Sequence, residues 1–195
     1  MRVISNSIIF FFIISSLYAK QEDSLIKEKL YSIYKEVGLD VKKISIDSNI
    51  VLEETELLFI GRDIYGRDQY LFSDAAKSWL LMKNAAEKEG FKLLFVSGFR
   101  TYNYQANIIK RKIKKGILIE NILKYNKLPG YSEHHSGRAI DITNSKSLGL
   151  YDEFKYTNEY KWMLENAKYF GFRLTYKEDN NSGIMFEPWH WYYYK

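Results

Sequence analysis

The sequence contains no cysteine and only two prolines among its 195 residues. The lack of cysteine excludes disulfide bonds and a cysteine-linked lipid anchor, so a folded domain must be held together by its hydrophobic core alone. A core of sufficient size is available, because 195 residues is a single-domain length and 46% of the residues are hydrophobic. Few prolines beside 17 tyrosines predict a packed α+β domain rather than a disordered chain.

The sequence also lacks a concentrated run of one charge. The net charge is +5, and lysine and arginine are spread along the chain except at Lys110-Arg111-Lys112 and Lys114-Lys115. On a helix these residues form a solvated face. We therefore expect no nucleic-acid partner.

The first nineteen residues differ in composition from the rest. Arg2 precedes an apolar run at residues 8–14, and the small residue Ala19 closes the segment, which is the order of a secretory signal peptide. The run is short for a membrane span, which needs about 20 residues. We expect export with cleavage after Ala19; an uncleaved anchor, which would attach the protein to a membrane, stays open.

Apolar periodicity predicts a series of helices and strands, several of them closed by glycine at Gly38, Gly90 and Gly171. Residues 40–60 read as short extended pieces, and residues 119–124 as a short helix. The predicted helices cover residues 20–37, 73–89, 102–115 and 157–170, and the predicted strands cover residues 91–96, 138–142, 172–176 and 185–194.

The chain has only three histidines, and they lie in two polar blocks. One block is Ser132-Glu133-His134-His135-Ser136-Gly137-Arg138-Ala139-Ile140-Asp141, and the other is Glu187-Pro188-Trp189-His190-Trp191. Two imidazoles and one carboxylate are a normal set of protein ligands for a catalytic zinc ion, and Glu187 is a candidate proton-transfer group. The spacing alone cannot choose between the adjacent His134 and His135, and manganese or cobalt stays open beside zinc.

These two blocks resemble those of the VanY-type D-alanyl-D-alanine carboxypeptidases, zinc peptidases that share a fold with the hedgehog signalling domain. A third block, Ser97-Gly98-Phe99-Arg100-Thr101-Tyr102-Asn103-Tyr104-Gln105, is similar to that family's Ser-Gly-Tyr-Arg-Ser…Gln segment. The resemblance covers roughly residues 63–194. Together with the N-terminal pattern, it divides the chain into a signal peptide or uncleaved anchor at 1–19, a helical and extended segment at 20–62, and a zinc peptidase domain at 63–195.

The resemblance implies both a fold and the roles of the site residues. The fold would be α+β, with a small central antiparallel sheet and flanking helices. One Zn²⁺ per chain would be held by His134, Asp141 and His190, leaving His135 as a hydrogen-bonded residue at the edge of the site. Glu187 would act as the general base. Arg100 would contact the substrate, either at the tetrahedral oxyanion or at a carboxylate, and the pocket would also be lined by Gln105 and Ser132.

The resulting expectation is a monomeric enzyme exported to the bacterial cell envelope, in the periplasm or at the outer face of the cytoplasmic membrane. It would remove the terminal D-alanine from peptidoglycan stem peptides. An L,D-carboxypeptidase and a D,D-endopeptidase would use the same chemistry and stay open. A zinc-containing binding module is a further alternative, but it would need neither Glu187 nor Arg100.

Overall fold

The computed structural model describes residues 4–146 and 149–195, with side chains described from Lys20 onward except that of Lys43. The chain divides into two compact units, one up to Ser48 and one from Asn49 to Lys195. The predicted division at residue 63 lies within the second unit and stays a prediction.

The first unit consists of helix α1 (Ile4–Glu36) and a 3-10 turn (Val41–Lys43). The helix predicted over residues 20–37 is confirmed, and the Gly38 amide closes it by donating to the carbonyl of Lys35 at 3.1 Å. Residues 1–3 of the predicted signal peptide lie outside the described residues, and its cleavage stays a prediction. Among the described residues, none of the helices combines the length and hydropathy needed to cross a membrane.

The second unit contains two antiparallel sheets. Strands β1 (Leu57–Arg62) and β2 (Asp68–Phe72) form a hairpin. Four further strands are arranged in the order β3-β4-β6-β5, with every pair antiparallel. They are β3 (Leu94–Ser97), β4 (Ala139–Thr143), β5 (Phe172–Leu174) and β6 (His190–Tyr193).

Helices flank this small central sheet, so the predicted α+β fold class is confirmed. Threonine side chains cap two of the helices, because Thr101 accepts from the Tyr104 amide and Thr157 from the Tyr160 amide. The α-helices are α2 (Ser73–Lys88), α3 (Tyr102–Lys114), α4 (Ile119–Ile122) and α5 (Asn158–Asn166), and the 3-10 helices are Glu133–Ser136, Asp152–Tyr156 and Ala167–Phe170.

One face of the four-stranded sheet is covered by α2 and α5. Ile140 and Ile142 of β4 lie in the hydrophobic core with Trp79 of α2, Met163 of α5 and Trp191 of β6. Adjacent strand residues point to opposite faces. Asp141, which lies between Ile140 and Ile142, therefore points away from the core.

The observed strands differ from the prediction at two places. The predicted extended pieces at residues 40–60 include only the first residues of β1, and β2 was not predicted. The register of the hairpin is interrupted by an irregularity between Phe59 and Gly61, which hides the alternation of side chains. The strand expected over residues 185–194 begins only at His190. Pro188 precedes it and cannot donate to a sheet ladder.

Candidate active site

Strand register brings two of the predicted ligands side by side. Asp141 on β4 is paired with Ser97 on β3 and with His190 on β6, so the three residues form one row across the sheet. Their neighbours Ile140 and Trp191 lie in the core on the opposite face. Asp141 and His190 therefore point into a cavity on the other side.

The third predicted ligand, His134, comes from the 3-10 turn that precedes β4. Gly137 ends this turn with φ +65°, which glycine adopts without strain, and a Cβ there would lie 2.8 Å from the Phe72 nitrogen. His134 Nδ1–H donates to the carbonyl of Gly98 at 2.7 Å. A Cβ on Gly98 would lie 2.7 Å from the Tyr70 carbonyl oxygen. These two glycines allow the close backbone approaches that aim the His134 ring.

The hydrogen bonds around the two histidines leave one nitrogen of each facing Asp141. His134 Nε2 lies 3.2 Å from Asp141 Oδ2, and His190 Nδ1 lies 3.0 Å from Asp141 Oδ1. On its outer side, His190 Nε2–H donates to Glu133 Oε2 at 2.9 Å. Carbonyl and carboxylate oxygens only accept hydrogen bonds, so Gly98 and Glu133 hold protons on the outer nitrogens. Such outer partners orient histidines for metal binding.

The geometry of these three side chains fits zinc. Their ligand atoms all lie within 4.8 Å of one another, and all three residues are buried. Zinc bonds of about 2.0–2.2 Å place neighbouring ligands of a tetrahedral shell about 3.4 Å apart. The separations of 3.0 and 3.2 Å are close to that spacing. We call His134, Asp141 and His190 the ligand cluster.

Burial and neighbouring charges move the pKa values within this cluster. Burial lowers the pKa of His134 to about 4, and the Arg100 guanidinium adds to the shift. Burial acts on His190 in the same direction, but Asp141 and Glu133 outweigh it and raise its pKa to about 10. Burial alone would raise the pKa of Asp141, but the charges of His134 and Arg100 hold it well below its usual value. The negative charge of Asp141 is therefore balanced by the positive groups around it.

The ligand cluster opens into a cavity of about 550 Å³, and Glu187 lies on its wall. The His190 amide donates to the carbonyl of Glu187 at 3.1 Å, so the chain turns at Pro188 between these two residues. Glu187 is 7% exposed. Burial raises its pKa to about 7 although the charge of His190 opposes the shift. A carboxyl with such a pKa can accept and release a proton near neutral pH.

Arg100 follows β3, and three side chains hold its guanidinium. Nη2 forms an ion pair with Asp141, Nε donates to Ser97 Oγ at 2.9 Å, and Nη1 donates to Gln105 Oε1 at 3.4 Å. The Arg100 amide also donates to the carbonyl of His134 at 3.1 Å. Arg100 therefore lies beside the ligand cluster, with much of its donor capacity used within the protein.

Gln105 and Ser132, which the resemblance places in the pocket, both line the cavity. Gln105 is 1% exposed, and its Nε2 donates to the carbonyl of Lys127 at 2.8 Å. With its oxygen bound to Arg100, the Gln105 side chain is positioned to orient the guanidinium. Ser132 immediately precedes the 3-10 turn that carries His134.

His135 points away from the ligand cluster although it is adjacent to His134. Its Nδ1–H donates to the carbonyl of Arg100 at 2.7 Å, and its Nε2 accepts from the amide of Gly130 at 3.1 Å. Both ring nitrogens are thus engaged by backbone groups. The expected role of His135 as a hydrogen-bonded residue at the edge of the site is confirmed.

Three further residues contribute to the site in ways that the sequence reasoning missed. Glu133 orients His190, and its only signal was its position next to His134. The Tyr176 ring lies 4.7 Å from the His190 ring, measured between centroids. Lys112 lines the cavity, so the solvated face expected of the basic run is wrong for this residue. It lies two turns beyond Gln105, on the side of α3 that faces the cavity.

The comparison with known sequences agrees with this site. Residues 68–195 match the family VanY, D-alanyl-D-alanine carboxypeptidase. The putative carboxypeptidase YodJ of Bacillus subtilis (strain 168) is 34% identical over 149 residues, which cover 73% of this chain and 52% of that protein. The chain spans about half the length of the first curated relatives that it matches.

Solved structures show the same fold. The structure of the LdcB LD-carboxypeptidase, which reveals how that protein recognises peptidoglycan, shares 31% identity with this chain at a TM-score of 0.58. The match covers 76% of this chain and 69% of that one. A mutant of the vancomycin resistance D,D-pentapeptidase VanY from a VanB-type cassette, in complex with Zn(II), shares 26% identity at a TM-score of 0.57, covering 76% and 82%. Because the family match includes the ligand cluster, Glu187 and Arg100, the chain belongs to the VanY family of D-alanyl-D-alanine carboxypeptidases.

Proposed function

We propose that this protein is a zinc-dependent carboxypeptidase that removes the terminal D-alanine from peptidoglycan stem peptides. One observation carries the proposal: His134, Asp141 and His190 converge in a cavity that also contains the buried carboxyl of Glu187. Membership of the VanY family supports the substrate class. A module that only binds would need no such carboxyl beside the ligand cluster.

His134 Nε2, Asp141 and His190 Nδ1 would hold one zinc ion. The chemistry that zinc supplies when bound is Lewis acidity toward water and the scissile carbonyl. The Zn(II) complex of the related D,D-pentapeptidase VanY supports this metal. Glu133 and the Gly98 carbonyl would keep the two imidazoles in the orientation and tautomer that ligation needs.

Glu187 acts as the proton-transfer group. Its carboxylate takes the proton of the attacking water and then delivers it to the amine of the departing D-alanine. Burial among cavity-lining residues gives this carboxyl a pKa close to neutrality, so neither transfer is strongly uphill. The ligand cluster and the turn at Pro188 keep Glu187 at a fixed position relative to the reacting bond.

Arg100 stabilises the negative charge that develops on the scissile carbonyl oxygen. The guanidinium lies against Asp141 and therefore beside the position where that oxygen must approach the ligand cluster. Preorganised positive charge in a buried site is an effective way to lower the barrier to acyl transfer. Gln105 and Ser97 hold the guanidinium in place.

A second candidate is an L,D-carboxypeptidase acting on shortened stems, which the likeness to LdcB favours. In the deciding assay, the zinc-loaded protein is incubated separately with pentapeptide, tetrapeptide and crosslinked stems, and the products are identified by mass. We expect the pentapeptide to lose one alanine, and a chelator to stop the reaction. Trimming of the tetrapeptide alone would support the L,D-activity, cleavage of crosslinked stems would support the endopeptidase, and no cleavage of any stem would refute a peptidase of this class.

We further propose that the protein is exported to the cell envelope. The proposed substrate lies outside the cytoplasmic membrane, and residues 1–19 have the charged start, apolar run and small closing residue of a signal peptide. Cell fractionation with N-terminal sequencing tests this. The mature chain should begin at or near Lys20, whereas a full-length chain in the cytosol would contradict export.

A further inference from the structure

Lys112 is a cation that lines the cavity. Gln105, Ile108 and Lys112 occupy one side of α3 at helical spacing, and all three line the cavity. The Lys112 side chain is partly buried. Its position results from the helix face that also carries Gln105, the residue that holds Arg100.

The ammonium group of Lys112 is available to a ligand. Within the described part of the chain it forms no hydrogen bond or ion pair, although it lies close enough to interact electrostatically with Glu187 and Arg100. The other cations of the cavity are already engaged. Arg100 is paired with Asp141, and the Lys127 ammonium donates to the carbonyl of Ser182.

We propose that Lys112 is a specificity-determining residue that binds the C-terminal carboxylate of the substrate. This inference rests on the proposed function, since it assigns a recognition role within the same site. It also separates two tasks that the sequence left open for Arg100. Arg100 serves the carbonyl oxygen, and Lys112 serves the carboxylate.

The chemistry of the leaving residue places its carboxylate on the Glu187 side of the cavity that Lys112 also lines. Glu187 delivers a proton to the amine of that residue, and standard bond lengths put the carboxylate carbon only about 2.5 Å from the amine nitrogen. Lys112 lines the same cavity as Glu187 and interacts with it electrostatically, so its side chain can extend toward this carboxylate. Lysine suits this task as a point charge on a flexible stem, and a free carboxylate distinguishes a chain end from an internal peptide bond.

The test compares wild type with Lys112→Met and Lys112→Arg, using penta- and tetrapeptide stems as free acids and as C-terminal amides. Lys114→Met is the matched control, because Lys114 is exposed on the same helix and does not line the cavity. Wild type and the control should prefer the free acid by about ten- to a hundred-fold in kcat/KM, the range of a hydrogen bond to a charged group. Lys112→Met should lose most of that preference, because its kcat/KM should fall more for the free acid than for the amide. Lys112→Arg should retain part of the preference.

A second measurement separates this inference from the proposed function. Calorimetric binding of the same peptides is compared between Glu187→Gln and the Glu187→Gln/Lys112→Met double variant, so that no cleavage is needed. If the double variant binds the free acid more weakly than Glu187→Gln does, and binds the amide equally well, the role of Lys112 is supported. This holds even if the wild type cleaves neither stem. Three outcomes would overturn the inference. The preference for the free acid could persist in Lys112→Met, the wild type could cleave acid and amide equally, or the Glu187→Gln variant could bind neither peptide.

Discussion

The ligand cluster and the outer part of the same cavity differ in how their charges are used. In the cluster, His134, Asp141 and His190 are at most 3% exposed, and each is oriented by a protein partner. Farther out, the cavity is lined by Lys112 and Lys127, which are partly exposed, and by Asp152 and Glu153, which are exposed. We call these four residues the cavity rim. Buried charge is stable only when it is paired, whereas the rim can leave charge open to solvent or substrate.

This difference indicates a division of labour within one cavity. The ligand cluster is held by strand register and by Glu133, so it can change little without losing the geometry that fits zinc. The rim lies on α3 and on the segments before and after β4, where its side chains are less buried than those of the ligand cluster. Changes in the cluster should therefore affect metal binding and turnover, and changes in the rim should affect the choice of substrate.

The largest expected effect comes from removing a ligand. His190→Ala should lose stoichiometric zinc and all measurable peptidase activity, because two ligands remain where a catalytic zinc site uses three. Metal analysis and the stem-peptide assay measure both effects. His135→Gln is the matched control and should keep its zinc, since both His135 nitrogens bind backbone groups. Full zinc retention by His190→Ala would refute the ligand assignment.

Removing the proton-transfer group should uncouple metal binding from turnover. Glu187→Gln keeps the size of the side chain but cannot accept the proton, so kcat should fall by about a hundred-fold or more. Zinc content measured on the same preparation should stay at one ion per chain. Near-normal turnover would show that another group moves the proton, and Glu133 would be the next residue to test.

Weakening the outer support of His190 should have an intermediate effect. Glu133→Gln replaces a charged acceptor with a neutral one, and loss of such outer partners typically lowers metal affinity or activity by about ten- to a hundred-fold. Zinc affinity measured by competition with a chelator tests this. Glu153→Gln, an exposed residue of the rim, is the comparison variant and should leave zinc affinity unchanged. Equal zinc affinity in both variants would refute the orienting role of Glu133.

The smallest effect concerns the scaffold outside the cavity. Residues 51–54 pack against the site through hydrogen bonds from Val51 to Gly130 and from Glu54 to His135. The Glu53 carboxylate also accepts from the Tyr102 amide at the start of α3. Glu53→Ala should lower the free energy of unfolding by about 1 kcal/mol, as loss of a helix cap does.

Chemical denaturation measures this change in stability, and zinc content should stay at one ion per chain. Glu56→Ala is the control, because Glu56 is exposed in the same segment. If both variants unfold at the same denaturant concentration as wild type, the Glu53 contact contributes nothing to the scaffold.

Short-range patterns in the sequence determined the helices and the content of the site. Apolar periodicity and glycine stops placed α2, α3 and α5 closely, because both signals act within a few residues. The block from Ser132 to Asp141 and the Glu187-x-x-His190 block contained the ligand cluster and Glu187, since each combines chemically distinctive residues at short spacing.

Only the tertiary structure decided which of these residues meet and which way they point. Asp141 and His190 are 49 residues apart in the chain, and it is the β4–β6 register that pairs them. The 3-10 turn, not the spacing, directs His134 to the cluster and His135 to backbone groups. The orientation of α3 brings Lys112 into the cavity, although its sequence reads as a solvated basic run. These outcomes depend on contacts between distant segments, and such contacts leave no local pattern in the sequence.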